Sequence, residues 1–276
     1  MRSLYVLTLA DGELKKIADP QPDMKQVASA EWSSDGKTIV CDMSKGTVAT
    51  SRIVKMNADG SDFQDIGAGC MPSLSPDGKR ILYCVPGSGI MRMNSDGSGV
   101  ETIDAAGWGC QWSPDGKYIA WGKLNNVTIL NTETDEKTQL LTEAQQQQVT
   151  YAFWNFGWSH DSKSIAFKLR NPQNKLQLVV ADVESKDGFK ILYAADDIEE
   201  DVTWLPDNKT VLFTTILPEG SRRRFATISR AEGAVAKLFP GIPEDWNVSN
   251  IDCSPDGKRA VFTGTPPPVP VEWTKK

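Results

Sequence analysis

The chain has 276 residues, 39% apolar and 24% charged, with a formal net charge of −6 at pH 7. Such a length and composition suit one soluble all-β unit with a sizeable core, and the acidic balance disfavours nucleic acid or an anionic membrane as partner. No stretch approaches the roughly 18 apolar residues of a membrane span. Five cysteines, an odd number, make no disulfide framework, and a single histidine with no CxxC leaves no expected zinc site. No cofactor is expected.

The opening Met1-Arg2-Ser3-Leu4-Tyr5-Val6 carries no apolar signal-peptide core. The expected compartment is therefore cytoplasmic for the chain as it stands, or periplasmic or extracellular had a leader been removed. Leu4-Tyr5-Val6, an Asp11-Gly12 turn and Lys15-Lys16-Ile17 then read as a β-hairpin. The next signal is a motif that recurs along the rest of the chain. Its copies are Trp32-Ser-Ser-Asp35-Gly-Lys37, Leu74-Ser-Pro-Asp77-Gly-Lys79, Trp112-Ser-Pro-Asp115-Gly-Lys117, Trp158-Ser-His-Asp161-Ser-Lys163, Trp204-Leu-Pro-Asp207-Asn-Lys209 and Cys253-Ser-Pro-Asp256-Gly-Lys258. The aspartates recur every 38 to 49 residues, the length of a four-stranded propeller blade.

Each copy has the chemistry of a tight turn: Pro presets φ, Asp bonds its own backbone, and Gly or Asn accepts φ > 0. The six aspartates are accordingly read as turn formers, and His160 as a substitution in the proline slot of one turn. An apolar run follows each Lys, as in Ile39-Val40-Cys41, Ile81-Leu82-Tyr83 and Val211-Leu212-Phe213. A run without alternation predicts a strand buried on both faces. An alternating hairpin with an acidic-Gly turn comes next, as in Ile53-Val54-Lys55-Met56 with Asp59-Gly60. The chain thus starts with an outer hairpin and ends with an inner one. Together they make one blade, which predicts a closed six-bladed β-propeller of four-stranded antiparallel blades, spanning residues 1–264. A proline-rich tail, 265–276, follows. The cysteines are expected as buried free thiols, and the protein as a monomer.

The repeat W-S-P-D-G-K-x-I-A-[FW], followed by an I-Y-x-M-[ND]-x-D-G hairpin, resembles the TolB-type, WD-like propeller repeat. The resemblance covers residues 3 to 264. It implies fold more than function, because this repeat serves many unrelated partners. TolB-type propellers include a periplasmic protein that binds another envelope protein, so the resemblance implies a protein or peptide partner. Propeller-bearing hydrolases of the prolyl-oligopeptidase type are disfavoured, since no G-x-S-x-G elbow occurs. Oligogalacturonate lyases with related repeats use a metal site of several histidines, which one histidine cannot reproduce.

The variable parts of the repeat are the loops on one rim, where binding usually sits. They include 19–23, 145–148, the acidic run 196–201, 243–246 and a loop ending in Arg222-Arg223-Arg224. Trp108, Tyr151, Phe153, Trp154 and Trp246 stand at the starts of inner strands, and Trp108, Trp154 and Trp246 are the candidate anchors. Counting back from the motif's first residue, alternate positions are polar or small. Glu31, Asp201 and Asp252, with Asn155 and Asn250, are therefore expected to line an acidic channel. The expected function is non-enzymatic recognition of a protein or peptide at the channel mouth. The alternative is an enzyme, or a metal or small-ligand binder, using the acidic channel.

Overall fold

A computed structural model of the chain describes residues 1–185, 187–217 and 222–267. The tail residues Pro268, Val269 and Pro270 fall outside the described residues. Six four-stranded antiparallel sheets form a ring, a six-bladed β-propeller. In chain order the blades are 26–68, 70–104, 108–139, 151–194, 198–238 and 247–265, numbered 1 to 6. Blade 6 takes its two outer strands, Ser3–Thr8 and Leu14–Ala18, from the start of the chain. Ser3–Thr8 pairs with Arg259–Thr265 through six consecutive residue pairs, Ser3 opposite Gly264 and Thr8 opposite Arg259. Closure in this way covers an edge that would otherwise present unpaired N–H and C=O groups. Among the described residues no helix is long and apolar enough to cross a membrane.

The core consists of six apolar clusters, one at each blade-to-blade interface. This explains the unbroken apolar runs. Side chains alternate faces along a strand, and each face of a second strand meets a different neighbour. Ile39 and Cys41 pack toward blade 6 beside Leu4 and Val261, whereas Val40 packs toward blade 2 beside Ile81 and Tyr83.

The repeated turns are hydrogen-bonded as their composition requires. Ser33 Oγ donates to Asp35 Oδ1 (2.7 Å) and accepts from Thr38 N–H (2.9 Å), while Lys37 N–H donates to the same Asp35 oxygen (3.0 Å). These donors hold Asp35, Asp77 and Asp256 below the usual carboxylate pKa. Gly36 adopts φ +66° there, and Ser162 and Asn208 occupy the same left-handed conformation in the divergent copies. Both substitutes also bond the preceding blade: Asp115 N–H donates to Ser162 Oγ (3.0 Å) and Asp161 N–H to Asn208 Oδ1 (3.1 Å).

Two expected loops contain regular structure. Residues 143–146 form one helical turn, with Thr142 N–H donating to Gln145 Oε1 (2.8 Å), a capping-box contact. The acidic run 196–201 is only partly loop, because the inner strand of blade 5 starts at Ile198.

Candidate functional site

The six innermost strands line a central channel, and in each of them the ladder to the next strand slips. In blades 1, 2, 3 and 6 one extra residue bulges out, and Ser29, Met71, Gly109 and Asn250 sit there with φ between 51° and 60°. At Gly109 the glycine is needed twice over. A Cβ there would also come within 2.5 Å of the Trp154 carbonyl oxygen. In blades 4 and 5 the slip is larger. Ala152 to Phe156 faces only Leu169 to Phe167, and Ile198 to Val202 faces only Thr215 to Phe213. That leaves two extra residues in each, so the channel wall is fuller on this side.

A bulge takes backbone N–H groups off the ladder, and buried donors need another partner. The neighbouring blade supplies it. Met71 N–H donates to Asp42 Oδ1 (3.2 Å), Gly109 N–H to Cys84 Sγ (3.1 Å) and Asn250 N–H to Asp201 Oδ2 (2.8 Å). A second belt lies nearer the repeat turns. Trp32 N–H donates to Asp252 Oδ2 (2.9 Å), Leu74 N–H to Glu31 Oε1 (3.1 Å) and Trp112 N–H to Ser73 Oγ (3.1 Å). The channel carboxylates therefore stitch blades together.

Asp201 is the most heavily engaged. Its two oxygens accept from Asn250 N–H, Asn250 Nδ2, Asn155 Nδ2 and Thr214 Oγ1 at 2.8 to 3.2 Å. Asp252 accepts from Thr203 Oγ1 (3.2 Å) and Cys253 N–H (2.9 Å) as well as Trp32. Burial raises the pKa of Asp252 in spite of those bonds. Burial, and then the charge of Asp252, hold Glu31 well above the usual carboxylate value. Asp42 is raised by burial too. Among the described residues, no group of three or more His, Cys, Asp or Glu is disposed to hold a metal ion.

Glu31, Trp154, Asn155, Asp201, Asn250 and Asp252 share one cavity in the channel, of about 100 Å³. Trp108 and Trp246 are elsewhere. Trp108 packs against the apolar cluster between blades 2 and 3. Trp246 meets Tyr5 edge-on at 4.7 Å, against the cluster between blades 5 and 6. Both lie in seams, and neither falls within a ladder bulge. Trp154 lies in such a bulge, within 6.1 Å of Tyr151 and 6.4 Å of Phe153, ring centre to ring centre.

A second cavity, of about 360 Å³, opens toward the repeat turns between Trp112, Trp158 and His160. His160 Nε2 lies 3.3 Å from the Trp204 carbonyl, an acceptor that calls for the proton on that nitrogen. Sequence reasoning missed Asp42, although an acid following Ile39-Val40-Cys41 in a run buried on both faces is a readable signal. It also missed Arg2, whose position gave none.

These features define a six-bladed propeller with a TolB-like fold and a hydrogen-bonded channel lining. Among solved structures, a protein provisionally named TolB from Agrobacterium tumefaciens superposes with a TM-score of 0.73 at 14% identity, covering 96% of this chain and 98% of that one. TolB from Acinetobacter baumannii gives 0.64 at 18% identity over 96% of this chain, which spans 63% of that protein. Oligogalacturonate lyase from Vibrio parahaemolyticus gives 0.59 at 9% identity, with 99% and 84% covered. At such identities the likeness is one of fold. No protein-family profile and no curated protein sequence matches the chain.

Proposed function

We propose that this propeller is a non-enzymatic recognition module that takes a peptide segment of a protein partner at the channel mouth. The observation that carries this reading is the widened bulge of blade 4. Within it Trp154 borders the channel cavity beside Asn155, with its Cα and Cβ over Gly122 of blade 3. Four blades close with a one-residue bulge, so the fold does not require the longer one. A half-buried tryptophan beside polar groups is the composition of an interface anchor. The TolB neighbours are consistent with this role. The lyase neighbour keeps open chemistry in the channel, favoured by the raised Glu31 and Asp252. The hydrogen bonds those carboxylates make to other blades count against it.

The test is selection of binders from a random peptide library, followed by affinity measurement on synthetic copies. Trp154→Ala should weaken the enriched peptides about 30-fold, the equivalent of about 2 kcal/mol, while the variant still folds and melts cooperatively. Peptides that bind the variant as well as the parent would sink the reading.

A further inference from the structure

The acids of the channel mouth suggest by their number a site for cations, but hydrogen-bond accounting gives the opposite sign. A cavity of about 260 Å³ opens at the mouth beside Arg2, Asp42, Glu199, Asp201 and Arg223. Asp201 is saturated by its four donors. Asp42 accepts from Met71 N–H and Ser51 Oγ. Glu199 Oε2 is paired with Arg223 Nε at 2.9 Å. Arg2 alone of these charged groups has no partner within hydrogen-bond or ion-pair distance of its guanidinium, among the described residues.

Arg2 is anchored at the mouth by its backbone, whose carbonyl accepts from Val27 N–H (3.1 Å), and by a bridge to Gln26. Its side chain is half-buried. Burial and the neighbouring Arg223 charge lower its pKa, against the attraction of Asp201. A guanidinium partly shielded from water and left without a protein acceptor is open to a ligand, and its planar fork of donors matches a carboxylate in two-point contact.

We infer that Arg2 is the docking point for a carboxylate of the partner peptide, from an aspartate or glutamate side chain or from the chain terminus. The inference rests on the peptide-docking reading and specifies the chemistry that reading leaves open. The channel's own acids then act as a fixed frame that holds the mouth open, and one cation reads the ligand.

The experiment uses three small probes at constant ionic strength: N-acetylglycine, N-acetylaspartate α-amide and N-acetylglycinamide. Binding is followed by nuclear magnetic resonance shifts of the protein. Either acid should bind at least ten-fold more tightly than the neutral amide, and the tighter acid identifies terminus or side chain as the source. Arg2→Gln should abolish the preference without changing the melting temperature, since only backbone atoms of Arg2 join the fold. Arg2→Lys, which keeps the charge and loses the fork, should retain part of it. Equal binding of acids and amide, or a preference that survives Arg2→Gln, would overturn the inference. Library peptides indifferent to Trp154→Ala strike the docking reading, whereas an acid preference indifferent to Arg2→Gln strikes this one.

Discussion

Glu31 and Asp252 carry two conflicting demands. Each must accept a backbone N–H from the next blade, and each must do so in an enclosed place that penalises its charge. A carboxylate whose folded pKa lies above its unfolded one binds more protons in the native state over the interval between the two values. Its contribution to stability is therefore full below the unfolded value, about 4.3 for Glu, and is lost as pH rises through the folded one. The turn aspartates run the other way, since their lowered pKa values give stability that is lost as pH falls. Glu31→Gln keeps an oxygen to accept from Leu74 and Ser73 and cannot ionise. Its urea stability should fall less than that of the parent between pH 5 and pH 8. Parallel profiles would show that Glu31 does not titrate over that range.

At the scale of elements, the N-terminal hairpin is the one piece whose partner lies at the far end of the chain. It gives Arg259–Thr265 a full ladder partner and adds Tyr5 and Leu7 to one seam and Leu4 and Val6 to another. Deleting residues 1–18 removes both contributions at once. The expected outcome is loss of a cooperative melt together with aggregation, read by calorimetry and light scattering. A soluble truncated protein with a sharp transition would count against closure by this hairpin. The inner-strand bulges are the other decisive elements. The strand pattern does not reveal them, because period-two alternation assigns a side chain to a face but not a skipped ladder partner.

Across the whole molecule, the apolar seams also hold all five cysteines, each buried and free. Cys84 and Cys110 bring their sulfurs to 4.0 Å, well beyond the roughly 2.05 Å of a disulfide. Burial pushes the thiols of Cys41, Cys70, Cys110 and Cys253 upward, away from the reactive thiolate. A thiol reagent should find none of the five in the native protein and all five after unfolding without reductant. Fewer than five on unfolding would mean that a pair had been oxidised.

The blade count, ring closure and turn chemistry were legible in the sequence, because each rests on local signals repeated in register. Asp-Gly turns, unbroken apolar runs and a chain that opens on an outer hairpin are read within a few dozen residues. Alternation also assigns Glu31, Asn155, Asp201, Asn250 and Asp252 to one face of the inner strands, and these five residues border one cavity. Only the tertiary structure decided what those side chains do there. Their partners, such as Leu74 for Glu31 and Trp32 for Asp252, belong to other blades, 43 and 220 residues away in sequence. The same holds for the tryptophans. Trp108, Trp154 and Trp246 look equivalent at or just before the start of an inner strand, yet of the three only Trp154 borders the channel cavity. What sets Trp154 apart is that it lies inside the two-residue slip of its own ladder, which becomes visible only when the second strand is laid beside the first.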